Sequence, residues 1–166
     1  MFSAKSTEWS NTAMTSLGIR ELGMADMDAA AVVYRISYDD RLPWLAGRHT
    51  PEEDKAFFRT RVIQNCDVWG ASDLDRLVGF IAFRSNWIDQ LYVLPDTQGR
   101  GVGMSLLRIA QTACPMLHLW TFQQNLPARR FYEARGFLAI KQTDGEENET
   151  REPDVLYRWI RPEAHL

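Results

Sequence analysis

The chain is poor in the residues that hold metals and covalent staples. Among its 166 residues are two cysteines, Cys66 and Cys114, and three histidines. Neither cysteine belongs to a CxxC pair, so no zinc site or other metal is expected. Reduced, buried thiols are the default inside a cell, and a free cysteine usually packs as a small hydrophobe. Cys114 with His118 stays open on paper as a nucleophile and base. A basic surplus is also missing, since 19 lysines and arginines face 22 aspartates and glutamates, for a formal net charge of −3. Nucleic acid is therefore not expected as the main partner, because binding phosphates needs cations in excess; a local anion site is still compatible. No apolar run approaches the ~20 residues of a membrane span. The opening stretch MFSAKSTEWSNTAMTS lacks the apolar core of a secretion signal. These absences lead to the expectation of a cytoplasmic protein with no membrane partner.

What is present suits one domain. Hydrophobic residues make up 45% and charged residues 25%, close to the soluble average. A chain of this length buries roughly two-thirds of its unfolded surface. Residues 1–15 read as a flexible, polar lead-in with Trp9 as a docking residue, and residues 16–166 as the domain. Leu17 and Ile19 alternate in a short strand, 16–21. Asp26 is placed to cap a helix reaching about Tyr38, with Met27, Ala30, Ala31, Tyr34 and Tyr38 near helical spacing. Pro43 and Gly47 make 39–49 a loop. Thr50-Pro51-Glu52-Glu53 unites an N-cap, a proline at N1 and a capping-box glutamate, and starts a helix to about Asn65.

Three strands follow, at 67–72, 76–84 and 87–94. Leu74-Asp75 and Ser85-Asn86 are short enough to be hairpin turns, so these strands should be antiparallel neighbours. A helix ending near Ala113 buries Val102, Leu106, Ile109, Ala110 and Ala113. The apolar strand 116–122 is reached by that helical crossover and should lie parallel to 87–94. A helix from Asn125 to Arg135 is capped by Asn125 and closed by Gly136. Strands at 137–142 and 155–160 flank an acidic loop. The order is that of one α/β (α+β) domain, with a mixed sheet flanked by helices.

The most informative stretch is Leu94-Pro95-Asp96-Thr97-Gln98-Gly99-Arg100-Gly101-Val102-Gly103, which opens the crossover helix. A strand ending in a glycine turn that starts a helix is an anion site: the first N–H groups are unpaired and the helix dipole adds about half a positive charge. Glycines remove the Cβ atoms that would hold a phosphate away, and Arg100 offers a charge-assisted contact. No lysine follows the glycines, so the nucleotide pattern G-x-x-x-x-G-K-[ST] is absent. Met104 stands where the dinucleotide fingerprint needs its third glycine. Read alone, the turn is also compatible with glycines placed for packing.

Gln98-Gly99-Arg100-Gly101-Val102-Gly103 resembles the Q/R-x-x-G-x-G/A pyrophosphate loop of the GNAT superfamily of N-acetyltransferases. The preceding Ile88-Asp89-Gln90-Leu91-Tyr92-Val93-Leu94-Pro95 is similar to the strand that leads into that loop. Downstream, Leu119-Trp120-Thr121-Phe122 and Asn125-x-x-Ala128-x-x-Phe131-Tyr132-x-x-x-Gly136-Phe137 resemble the family's second cofactor segment. The likeness covers most of 16–160 and is sharpest from Trp87 to Phe137.

The resemblance implies a mostly antiparallel sheet whose strands 87–94 and 116–122 splay apart. It implies acetyl-CoA as acyl donor, its pantetheine arm filling the gap beside Leu91, Tyr92 and Val93 like an added strand. The pyrophosphate would rest on Gln98, Gly99, Arg100, Gly101, Val102 and Gly103, with Asn125, Ala128, Phe131 and Tyr132 on the far wall. The N–H of Val93 would face the thioester carbonyl as an oxyanion donor. Tyr132 would protonate the leaving thiolate. Many relatives carry a glutamate base on the fifth strand, but Trp120-Thr121-Phe122-Gln123-Gln124 has no carboxylate. That leaves Asp89, acting through a water, or ordered water itself. The expected acceptor is a primary amine of a small molecule or peptide, received near Tyr38, Asp39, Asp40, Arg41, Trp44, Trp87 and the acidic residues 144–147. A non-catalytic acyl-CoA-binding or regulatory domain is the alternative, and a homodimer is left open.

Overall fold

The computed structural model describes residues 17–163; the lead-in 1–15 with Trp9, and Ser16, lie outside that range. Its seven strands are β1 (Gly18–Glu21), β2 (Asp67–Asp73), β3 (Arg76–Arg84), β4 (Trp87–Val93), β5 (Met116–Phe122), β6 (Leu138–Thr143) and β7 (Asp154–Ile160). They form one sheet in the order β1-β2-β3-β4-β5-β7-β6. Every pairing is antiparallel except β4 with β5. Leu74 and Asp75 turn β2 into β3, and Ser85 and Asn86, at φ 37° and 71°, turn β3 into β4. Two positive-φ residues in a two-residue loop match the right-handed twist of the strands they join.

The helices are α1 (Met27–Arg41), α2 (Pro51–Phe57), α3 (Ile63–Asn65), α4 (Val102–Ala113) and α5 (Leu126–Glu133), with a π-helical turn at Phe58–Val62 joining α2 to α3. The capping box forms as expected: Glu53 N–H donates to Thr50 Oγ1 at 3.1 Å and Thr50 N–H to Glu53 Oε2 at 2.7 Å. Asp26 departs from its expected role. Its side chain does not cap α1 but accepts from Gly23 N–H at 2.9 Å and pairs with Arg20 at 2.6 Å, closing a 3-10 turn ahead of the helix. The helix also runs to Arg41, past Tyr38, because Leu42 N–H still finds Tyr38 O at 2.8 Å before Pro43 stops it. On α4, Val102, Leu106 and Ala110 are buried as expected, Leu107 joins them, and Ile109 is half-buried and Ala113 exposed.

The core lies on both faces of the middle strands. Phe58 meets Phe80, and Tyr34 meets Tyr92, edge to face beneath α1 and α2, with Phe80 tilted against Tyr92. Val102, Leu106 and Leu107 seat α4 on the other face. Tyr132 and Phe137 pack with Tyr157 and Trp159, holding α5 against β7. Gly136, at φ +84°, ends that helical segment, and Phe137 N–H reaches Tyr132 O at 3.1 Å.

Candidate active site

β4 and β5 share one ladder pair, Trp87 with His118, where His118 N–H donates to Asn86 O at 2.8 Å. Beyond it β4 stays with β3 and β5 with β7, so a wedge opens between them. Leu94 N–H donates to Val78 O at 2.8 Å. Antiparallel alternation then turns Tyr92 toward β3 as well, and the backbone groups of Leu91 and Val93 toward the wedge. The Val93 carbonyl accepts from Ser37 Oγ at 3.1 Å and Gln98 Nε2 at 3.0 Å, which ties α1 and the glycine turn to this edge.

At the mouth of the wedge, Gly99 and Gly101 have φ +78° and +80°, a region that costs an L-residue roughly 1–2 kcal/mol. Ser105 N–H is bonded to Gly101 O at 3.0 Å, so the N–H groups of Val102, Gly103 and Met104 have no helical acceptor. A Cβ at Gly103 would sit 3.3 Å from the Phe131 ring, so glycine lets α4 and α5 approach this closely without displacing that ring. On α5, Asn125 Oδ1 accepts from Ala128 N–H at 3.3 Å.

These pieces line an open cleft of about 320 Å³. It brings together all the residues expected at the cofactor except Arg100, whose guanidinium extends to Asp73 at 4.0 Å. It also gathers Ser37, Arg41, Met104, Pro127 and Arg135. Arg41 donates to Gln98 Oε1 at 3.1 Å, and the Arg135 guanidinium lies 3.9 Å from the centre of the Phe131 ring. The overlooked signal was helix length, since ending α1 at Tyr38 removes Arg41 from the helix whose face carries Ser37.

Tyr132 is buried, 5.2 Å from Phe131 and 5.3 Å from Phe137 between ring centres. Its hydroxyl makes no hydrogen bond to a described residue. Burial pushes its pKa well above the ordinary 10 and keeps the phenol neutral. No carboxylate or histidine lines the cleft.

Asp89 is on the other side of β4. Ala82 pairs with Gln90 and Phe83 with Ile88, so Asp89 is the extra residue of a β-bulge, a device that re-aims a side chain. It enters a separate groove of about 520 Å³ between the α2–α3 segment, β4 and Trp120. Its Oδ2 accepts from Arg84 Nε at 2.7 Å and from the Cys66 thiol at 3.4 Å. Burial, then the Asp89 charge, push the Cys66 thiol up to about 12. Cys114 is a core residue, and His118 stacks on Trp87 at 5.1 Å.

A third, small hollow of about 80 Å³ lies between α1, residues 45–49 and the β6–β7 loop. Tyr38, Asp39 and Glu149 line it, together with Arg35 and the buried Asp54, which pair at 2.7 Å. Of the other residues expected at the acceptor, Arg41 is in the cleft and Trp87 in the groove; Asp40, Trp44 and residues 144–147 line none of these cavities. No helix of the described residues is long and apolar enough to cross a membrane, and no cluster of three potential metal ligands occurs among them.

A sheet forked at its centre, with a glycine turn at the fork's mouth, is the framework of an acyltransferase. The chain belongs to the Acetyltransferase (GNAT) family, whose model matches residues 33–137, and it is an acetyltransferase by that membership. It is 28% identical over 102 residues to the peptidyl-lysine N-acetyltransferase YiaC of Escherichia coli, covering 61% of this chain and 68% of that one. It is 27% identical over 147 residues to the peptidyl-lysine N-acetyltransferase YjaB of Salmonella typhimurium, covering 88% and 99%. The solution structure of apo YjaB from Escherichia coli has the same fold (TM-score 0.72, 22% identity, 89% and 99% covered). So does the PaiA N-acetyltransferase of Thermoplasma acidophilum in complex with coenzyme A (0.67, 21%, 88% and 99%).

Proposed function

We propose that this chain moves the acetyl group of acetyl-CoA directly to a primary amine, with a lysine side chain of a polypeptide as the acceptor. The observation that carries the reading is the β4 edge at Leu91 and Val93, which none of the described strands pairs and which runs from the glycine turn into the wedge beside Tyr132. The residues present fit the donor: unpaired N–H groups at Val102, Gly103 and Met104 and the cations Arg41 and Arg135 suit the phosphates. The open edge suits the amide-bearing pantetheine arm. The peptidyl-lysine activity named for YiaC and YjaB supports the acceptor class.

In this reading the N–H of Val93 faces the thioester carbonyl and stabilises the oxyanion as the amine attacks. Asp89, held in place by its ion pair with Arg84, receives the amine's proton through a water. Tyr132 holds a proton against the departing sulfur. The same dry surroundings that weaken the phenol as an acid make the thiolate a stronger base.

Thermal unfolding with acetyl-CoA, CoA, ATP and NAD tests the donor site. A ligand at a hundred times its Kd adds about 2.7 kcal/mol, or a shift of about 5–10 °C for a domain of this size. CoA compounds alone should give it; a shift from ATP alone overturns the reading. The carboxylate-free cleft is also what a non-catalytic acyl-CoA-binding domain would show. Release of CoA thiol with lysine peptides separates the two.

A further inference from the structure

The groove that holds Asp89 does not end at Trp120. Residues paired across neighbouring strands share a face, so Trp120, Leu156 and Lys141 form one row across β5, β7 and β6, and His118, Arg158 and Leu138 form the next. This face is opposite the one packed on α5, which takes Leu119, Val155 and Tyr157. None of the described helices covers it: Trp120 is 44% exposed, Leu138 67% and Ile160 58%. The groove therefore opens onto a shallow strip of about three strands' width.

Its charges are one-sided. Arg61, on the π-helical turn, stands at the groove wall, and Arg158 and Lys141 lie in the strip. None of the three pairs with a carboxylate of the described residues. The carboxylates nearby are occupied, Asp89 by Arg84 and Asp154 by Thr143 and Asn148. These three cations give the groove wall and the strip their positive charge.

We propose that this groove and strip receive the polypeptide around the acceptor lysine, and that they select segments with acidic residues near it. The proposal rests on the acetyltransferase reading above and adds the side of entry and the selectivity. The lysine stem would lie between Phe57, Trp87 and Trp120, bringing its nitrogen to the bulge at Asp89. Flanking carboxylates would meet Arg61, Arg158 and Lys141. The groove alone, about 520 Å³, is within the ~300–1000 Å³ typical of small-ligand sites, and the strip extends it beyond a small ligand's reach. An extended chain uses that length; a small amine does not.

The test is a set of ten-residue peptides with one central lysine flanked by Asp, Ala or Arg, followed by thiol release on the full chain. Acidic peptides should show a KM about tenfold below the alanine set, with the gap closing in high salt. In Lys141→Glu/Arg158→Glu the order should invert, arginine-flanked peptides being taken at the lower KM. A variant that gains a substrate is folded, so loss of structure cannot imitate this result. Equal KM across the set, an unchanged order in the variant, a lower KM for spermidine than for any peptide, or competition by a short RNA each overturns the proposal. If small amines are acetylated and peptides are not, only this inference falls. If nothing is acetylated at all, the underlying reading falls with it.

Discussion

Replacing Tyr132 by phenylalanine isolates one proton. The ring packs 5.2–6.3 Å from Phe131, Phe137 and Tyr157, and phenylalanine keeps every one of those contacts. The hydroxyl has no partner among the described residues, so its removal strands no donor or acceptor and should change stability by less than about 0.5 kcal/mol. Alanine would instead leave a cavity costing about 3–5 kcal/mol and would confuse the readout. General acid catalysis contributes about 10²–10⁴ in rate, so kcat of Tyr132→Phe should fall at least a hundredfold. The Kd for CoA should stay within about threefold. The assay is thiol release under saturating acetyl-CoA beside calorimetric titration with CoA. Burial holds the phenol's pKa above 10, so the wild-type rate should show no falling limb between pH 9 and 10. A limb there, or an unchanged kcat in the variant, would refute the acid role.

Gly101→Ala forces a Cβ onto a residue at φ +80°; the turn should shift at a cost of about 1–2 kcal/mol, weakening CoA binding about tenfold by titration. Tyr34, Tyr92 and Tyr132 all have pKa values raised mainly by burial. Their contribution to stability is complete below the unfolded pKa of about 10 and is lost above it, by about 1.4 kcal/mol per pH unit for each group. The guanidinium midpoint should therefore fall steeply from pH 10 to 11, and less steeply in Tyr132→Phe. Cys66, pushed up to about 12, should react with a disulfide reagent at pH 8 about 10³-fold more slowly than a free thiol of pKa ~8.5. Asp89→Asn removes a charge that raises this pKa and should speed the reaction; no change would mean that the carboxylate and thiol are not in contact.

The fold was legible in the sequence where one local signal decided it. Thr50 to Glu53, the two short hairpin turns and Asn125 with Gly136 each state a boundary in their own chemistry. Asp26 misled because an N-cap residue and a partner for Arg20 look alike in one dimension; the ion pair depends on where β1 ends. The helix α1 was ended early because Pro43 and Gly47 read as a loop reaching back to Asp39, although backbone bonds carry the helix on to Arg41. Most of the cleft was legible because one motif run, Leu91 to Gly103, supplies most of its near wall. Ser37 and Arg41 come from a helix some fifty residues away in sequence, and no spacing rule reaches that far.

The bulge at Asp89 was the least visible feature and has the largest consequence. Period-two alternation assigns each residue of β4 to one face of the sheet. One extra residue breaks that period between Ile88 and Gln90, so the strand serves two cavities at once. Its second half gives backbone groups to the donor cleft, and its first half gives Trp87 and Asp89 to the groove behind. In the reading proposed here, acid and base therefore approach the same carbonyl from opposite sides of one strand, and the donor never has to leave for the acceptor to enter. That separation makes a specific demand on order of binding. Acetyl-CoA and peptide should bind independently, with initial-rate plots that intersect and give no parallel lines. A parallel pattern would mean that the acetyl group rests on the protein between the two, and the direct transfer across β4 would be wrong.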